Sequence, residues 1–389
     1  MNTRLIALVV AALLLPAPPA LAAEPYEINA IESLTGIAAF IGTQEAAALH
    51  ALEAVENANG GIHGRPIKFV IVDDASSPVN AVQLANGIIA KGVPVILGPA
   101  LTANCEAVFS LVKNGPVAYC FSPGVHPAAG SFGFSGGAST ADISLAGMRY
   151  FRDRGWKRIA LITSTDASGQ DGERVVTTNM AAPENKSLTL VANEHFAITD
   201  VSVGAQIARI KAANADAVIA WTTGTPTGTV LHGLHDAGLD IPVLLNAGNI
   251  VRAQLRSYAS FVPTRLFLPG FRFLAPDSVG AGPVKREEKI FFDALAKDNV
   301  TPEVAHSLAW DPARVVIAAL RKLPPNPTAA QVRDEIEQTH SFAGINSIID
   351  YRDGSQRGVP ISALVVIQWD PAKEAFVPVS RAGGLPLKK

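Results

Sequence analysis

Cysteine is almost missing from this chain: its 389 residues hold two, Cys105 and Cys120. Two sulfurs, with no histidine at zinc spacing to them, cannot complete a tetrahedral metal site. Charge is sparse as well. Charged residues make up 17% of the sequence, and 34 acidic against 32 basic side chains leave a net charge of -2. That balance offers no basic excess for a nucleic-acid partner. There is no Gly-x-x-x-x-Gly-Lys-Ser/Thr stretch, so the chain carries no P-loop for ATP hydrolysis. Beyond the N-terminus no run approaches the roughly 18 apolar residues of a membrane span. Short repeats and low-complexity tracts are absent too.

What is present begins with the first 22 residues. Arg4 precedes an uninterrupted apolar run, Leu5 to Leu15, which Pro16, Pro18 and Pro19 break before Ala20-Leu21-Ala22. A basic start, a short apolar stretch and a small-x-small site make a secretory signal peptide over residues 1–22. No cysteine lies near the cleavage site, so lipid attachment is not indicated. In an oxidising compartment the two cysteines read as one disulfide. Closing a loop of that length stabilises a fold by about 3 kcal/mol in the chain-entropy model. The remaining chain is too long for one ordinary core and implies two domains. Its hydrophobic content, 48% with Ala and Val prominent, suits parallel sheets buried between helices.

Short apolar runs alternate with amphipathic stretches of helical length. Strands are expected at Tyr26–Ile31, Ile67–Val72, Val93–Leu97 and Val117–Phe121, with helices at Gln44–Asn57, Val79–Lys91 and Cys105–Lys113 between them. The rhythm restarts with helix Ile143–Arg154 and strand Ile159–Thr163, and continues through strands at Ala217–Ala220, Val243–Leu245 and Arg265–Phe273. Helices follow at Pro283–Lys297 and Ala305–Leu323. This βαβ order implies α/β architecture with two doubly wound parallel-sheet lobes and right-handed crossovers. Ile348–Tyr351 and Ile361–Trp369 read as a closing hairpin joined through an Asp353-Gly354 turn.

Four stretches in order carry a resemblance. They are Gly60-Gly61-Ile62-His63-Gly64-Arg65-Pro66-Ile67, Leu97-Gly98-Pro99-Ala100-Leu101-Thr102, Phe121-Ser122-Pro123-Gly124 and Ala309-Trp310-Asp311-Pro312-Ala313. With the leader, this set resembles the type I periplasmic solute-binding proteins of ABC transporters, specifically the leucine/branched-chain amino acid receptor family. The resemblance implies two lobes joined by three crossovers, placed near Ser139, Arg265 and Gly344. Lobe one would comprise residues 23–137 and 266–343, and lobe two residues 138–265 and 344–389. A ligand would sit between them, at the carboxyl ends of the strands, where open α/β sheets bind ligands generally.

The resemblance also suggests the contact residues. Thr102 and Ala103 open a helix whose free N–H groups and dipole suit an anion, although Thr102 could equally serve only as a helix cap. Gly124 matches the position whose backbone meets a bound carboxylate. His126 falls where relatives carry Thr and reads either as a donor to that carboxylate or as a solvated loop histidine. Phe40 and Ile41 would cover the ligand or belong to the lobe-one core. From lobe two come Ser168, Thr223 and Asn249, with Asn246 nearby. Relatives that bind amino acids place an acid near Asn246 and Asn249, and here Leu245-Asn246-Ala247-Gly248-Asn249 has none. An ammonium buried without a counter-charge is costly, so a carboxylate with an aromatic or branched body is expected ahead of an α-amino acid.

Other motifs read as structural. Asp73 and Asp74 are adjacent on a strand and point to opposite faces. Gly133-Phe134-Ser135-Gly136-Gly137 matches the Gly-x-Ser-x-Gly of hydrolases, but that elbow follows a buried strand and Pro127–Ser131 is loop-like. The expectation is therefore a periplasmic, non-enzymatic and monomeric binding protein without cofactor. It would deliver a small carboxylate or amino-acid-like ligand to an inner-membrane ABC permease. Presentation of the ligand to a sensor is the second reading, and a secreted serine hydrolase the third.

Overall fold

The computed structural model describes residues 23–276 and 279–387; the expected signal peptide lies outside them. Among the described residues no helix is long and apolar enough to cross a membrane. The first half alternates β1 (Tyr26–Glu32), α1 (Ala39–Ala58), β2 (Ile67–Asp73), α2 (Pro78–Ile89), β3 (Val95–Leu97), α3 (Thr102–Leu111), β4 (Val117–Cys120) and β5 (Gly133–Ser135). These five strands form one parallel sheet in the order β2-β1-β3-β4-β5. The expected βαβ rhythm is present. Strand β5 is not among the expected strands, because three residues offer no periodicity to detect.

The chain then enters the second lobe at α4 (Thr140–Asp153), where Ser139 caps the helix by accepting from the Asp142 N–H. There follow β6 (Arg158–Ser164), α5 (Ala167–Ala181), β7 (Thr189–Phe196), α6 (Gly204–Ala212), β8 (Ala217–Trp221), α7 (Pro226–Asp236), β9 (Val243–Leu245), α8 (Arg252–Ser257) and β10 (Leu266–Phe271). After α9 (Pro283–Ala296), α10 (Val304–Lys322), α11 (Ala329–Glu337) and the short pair β11 (Phe342–Ala343) and β12 (Ile348–Ile349), the chain ends in β13 (Leu364–Asp370) and β14 (Ala375–Pro378). The second sheet has the order β14-β13-β10-β9-β8-β6-β7. Its last two strands run antiparallel.

Two expected boundaries move. Strand β10 pairs with β9 and with β13, so residues 266–271 belong to the second sheet and the chain recrosses after them. An apolar strand carries no mark of the sheet it joins. Nor is there a hairpin between Ile348–Tyr351 and Ile361–Trp369: β12 pairs with β11, and β13 with β10 and β14. The segment around Asp353-Gly354 instead stays on lobe one. Ser135 N–H donates to the Gln356 carbonyl at 3.0 Å, and Arg357 donates to Ser135 Oγ at 2.8 Å and to the Val125 carbonyl. The Tyr351 and Tyr119 hydroxyls meet in the core. Lobe one therefore extends to about Gly358, not to residue 343.

Asp311, in the Trp-Asp-Pro-Ala stretch of α10, anchors this last connection. It is buried and accepts the Ile345 N–H at 2.9 Å. A Cβ on Gly344 would come within 2.6 Å of its Oδ2, so that residue must stay small. Burial pushes the Asp311 carboxyl up to about 7, against the opposing effect of its backbone hydrogen bonds.

Candidate functional site

A small cavity lies between the lobes. Lobe one lines it from α1 (Ile41, Glu45), from the β3–α3 turn (Ala100 to Thr102), from the segment after β4 (Ser122 to Gly124) and from Leu308 of α10. Lobe two contributes Thr140 and Ile143 of α4, Ser168 of α5, and Trp221, Thr223 and Asn246 to Gly248 after β8 and β9. Nearly all these segments follow the carboxyl ends of parallel strands. That placement follows from the winding of the sheet: the loops that leave β1 and β3 diverge to opposite faces and open a crevice.

On the lobe-one side, α3 begins at Thr102 and no side chain caps it. Its first N–H groups therefore face the cavity end of the helix without an intrahelical acceptor. Thr102 is the first residue of the helix and not its cap. Its Oγ1 lies 2.8 Å from Ser122 Oγ, and the Gly124 N–H donates to the same Ser122 oxygen at 3.2 Å. Hydroxyls, amide hydrogens and a helix dipole thus converge at one spot, an arrangement suited to an anion. The Cys105–Cys120 disulfide, with a Cα–Cα distance of 5.9 Å, ties α3 to the end of β4 just behind it.

On the opposite wall the chemistry differs. The first turn of α5 is already capped, because Asp166 accepts the Gly169 N–H. Ser168 Oγ lies 2.9 Å from Thr223 Oγ1, which in turn accepts from Asn246 Nδ2 at 3.2 Å. These groups are neutral donors and acceptors. The rest of the lining is apolar, led by Ile143 and Trp221 on this wall and by Ile41, Leu101 and Leu308 on lobe one.

One lining residue ionises: Glu45. It is fully buried beside Glu32 of β1. Burial is the main cause that pushes Glu45 up to about 8; Asp74 adds to the rise and Glu32 opposes it. Glu32 is raised too, first by burial and then by the facing Glu45 and by Asp74. The two carboxyls hydrogen-bond each other and no other group among the described residues.

Expected site residues sort into three groups. Thr102, Gly124, Ser168 and Thr223 line the cavity together. Asn246 and Ile41 line it where Asn249 and Phe40 do not. Asn249 is buried behind the wall, donating to the Thr222 carbonyl at 2.8 Å and accepting from Thr227 at 2.7 Å. Ala103 sits in the first turn of α3 but outside the lining. His126 stands apart from the cavity, with Nε2 2.7 Å from Asp171 Oδ1 of α5. That contact joins the lobes instead of touching a ligand.

Ser122, Trp221 and Glu45 were missed. Ser122 stood inside a quoted motif, whereas Trp221 and Glu45 carry no local signal, because their role depends on which way a strand end and a helix face. The remaining motifs are structural. Ser135 is buried, donating to the Ser122 carbonyl at 2.8 Å and accepting from Arg357. Asp73 accepts the Leu34 and Ala75 N–H groups, and Asp74 accepts from Ser33, Ser76 and Asn104.

Two further contacts close the cleft. Arg252 of α8 donates through its backbone and Nη1 to Glu303 Oε1, at 2.7 and 3.1 Å. The Thr225 N–H donates to the Ile37 carbonyl at 3.3 Å.

Comparison with known proteins gives these features a context. A family described as "Periplasmic binding protein" matches residues 25–375. The chain is 25% identical over 226 residues to the leucine-, isoleucine-, valine-, threonine-, and alanine-binding protein of Pseudomonas aeruginosa, covering 57% of this chain and 60% of that protein. It is 25% identical over 232 residues to the Leu/Ile/Val-binding protein homolog 3 of Brucella melitensis, covering 57% and 61%. The matched region thus spans less than two thirds of these relatives. In fold, the chain is similar to an extracellular ligand-binding receptor from Rhodopseudomonas palustris HaA2, with TM-score 0.80 at 17% identity over 92% of this chain and 100% of that one. It is also similar to the branched-chain amino acid transporter substrate binding protein of Streptococcus pneumoniae in complex with isoleucine, with TM-score 0.76 at 19% identity over 92% and 99%. At such identities these structures speak for the fold alone.

Proposed function

The chain belongs to the periplasmic binding protein family, and from that premise we propose that it is the extracytoplasmic solute-binding component of an ABC importer. Its ligand is a small carboxylate or amino-acid-like molecule with an apolar body, captured between the lobes in the periplasm and handed to a membrane permease. One observation carries this reading. The uncapped α3 terminus, with Thr102, Ser122 and the Gly124 N–H, opens into a cavity walled by both lobes.

The physical logic is differential affinity. A ligand that touches both walls favours the closed arrangement over the open one, by as much as its contacts differ between the two. The carboxylate end supplies the contact with lobe one. Ser168, Thr223 and Asn246 supply polar contacts from lobe two, and the apolar lining accepts the ligand body. The curated relatives, named for binding Leu, Ile and Val, support ligands of this size.

A thermal-shift screen of small carboxylates and amino acids tests the proposal. A compound held at 100 times its Kd should add about 2.7 kcal/mol of stability, and Thr102→Val should weaken that response. Should no compound of either class bind, or should Thr102→Val leave the response of a true binder intact, the reading is wrong.

A further inference from the structure

The sequence shows no acid in the Leu245–Asn249 stretch, yet the cavity contains one from the other lobe. We propose that Glu45, backed by Glu32, is a cation subsite on lobe one that gives up its proton to receive a ligand ammonium group. This rests on the cleft being the ligand site and adds the chemical class of the second ligand group.

Three observations lead there. Among the residues lining the cavity there is no Lys, Arg or His, and Glu45 is the one that ionises. Its carboxyl is fully buried, and beyond the facing Glu32 carboxyl no other group among the described residues hydrogen-bonds it. Glu32 behind it is also fully buried and hydrogen-bonds only Glu45 among the described residues, and Asp74 is the further acidic neighbour. Asp74 differs in being satisfied by Ser33, Ser76 and Asn104. Two carboxyls buried side by side stay there only by keeping protons, and a donor with positive charge can take the place of a proton. An ammonium supplies up to three N–H donors and the missing charge at once.

The exchange balances simply. In the empty cleft at neutral pH the Glu45 carboxyl holds its proton, because burial raises it to about 8. When a protonated amine enters, that proton leaves to solvent and the carboxylate pairs with the ammonium. Binding therefore releases close to one proton at pH 7, and affinity rises with pH until Glu45 ionises in the free protein as well. A neutral Glu45 that donated to a ligand carbonyl or carboxylate would give the opposite pH slope.

The experiment uses matched pairs, each an L-amino acid and its deamino acid, such as leucine and 4-methylpentanoate. Binding is measured by calorimetry from pH 6 to pH 9 in two buffers of different ionisation enthalpy. An ammonium-bearing member should bind more tightly than its partner, with affinity rising by up to about tenfold per pH unit below the Glu45 transition. Glu45→Gln should reduce that preference about ten- to hundredfold. If the deamino acids bind better, or if proton uptake replaces release, the cation subsite is wrong while the cleft proposal stands. If Glu45→Gln, folded by its melting curve, keeps the full ammonium preference, the subsite is equally overturned. Binding of neither class removes the cleft reading itself.

Discussion

A Cβ built on Gly124 would stand 2.4 Å from Thr102 Oγ1. Two segments far apart in sequence are thus pressed so closely that one must lack a side chain for the other to present its hydroxyl. The relationship also holds Thr102 against Ser122, at the end of the cleft proposed to take an anion.

Gly124→Ala should therefore displace the Thr102 hydroxyl and weaken ligand binding about tenfold or more, the range expected on losing a charge-assisted hydrogen bond. Thr102→Val removes the same hydroxyl without the clash and should give a comparable loss. Calorimetry with any compound found in the screen compares the two. A Gly124→Ala protein that binds normally would show that the hydroxyl is not a contact.

Breaking the disulfide acts on stability. Cys105 and Cys120 close a loop across 15 positions, a constraint worth about 3 kcal/mol in the chain-entropy model. The Cys105→Ser, Cys120→Ser double variant should melt markedly below the parent. Reductant should lower the parent's melting temperature and leave the variant's unchanged.

The raised carboxyls set a pH dependence. Glu45, moved from 4.5 to about 8, and Asp311, moved from 3.8 to about 7, keep protons in the folded state that the unfolded chain has already lost. Wherever the folded state binds more protons, stability falls as pH rises. The loss starts near the ordinary carboxylate range and is complete above about pH 8. Ligand-free protein should melt higher at pH 5.5 than at pH 8.5. Glu45→Gln should flatten that profile and raise the melting temperature at pH 8.5, by about 2–4 °C per kcal/mol relieved.

His126 supplies a test of closure. It reaches Asp171 from the other lobe, and its side chain is 44% exposed. Asp171 lies below the usual carboxylate range: although burial opposes this, hydrogen bonds from His126, Thr140 and Arg174 prevail. His126→Ala should leave folding nearly unaffected, since the buried Asp171 keeps its hydrogen bonds from Thr140 and Arg174. It should weaken every ligand by the same few-fold factor, because it biases closure and does not touch the ligand. Dissociation rates measured for two unrelated ligands would reveal any ligand-specific effect.

Much of the architecture follows from local order along the chain. Alternating apolar runs and amphipathic stretches imply parallel sheets wound in βαβ units, whichever lobe they join. The Pro99–Thr102 and Ser122–Gly124 stretches lie just past strand ends, so their nearness to a cleft was legible from the winding together with the family resemblance. The cysteine pair was legible for a similar reason, being the sole two thiols in the chain.

Other features depend on contacts between distant residues, which no local pattern encodes. Strand β10 joins the second sheet because its edges meet β9 and β13. The Asp353-Gly354 turn joins no hairpin because Arg357 and Gln356 bind lobe one. Asn246 lines the cavity and Asn249 binds the scaffold, by a rotation of three residues in a short turn. Glu45 looks in sequence like any acid on a helix. Only the packing of α1 over β1 removes it from water and sets it beside Glu32. Residue order was enough to determine the winding and where strands end. Which side chains share one dry space is a property of the folded chain, because burial and charge pairing act through distance in space and not along the sequence.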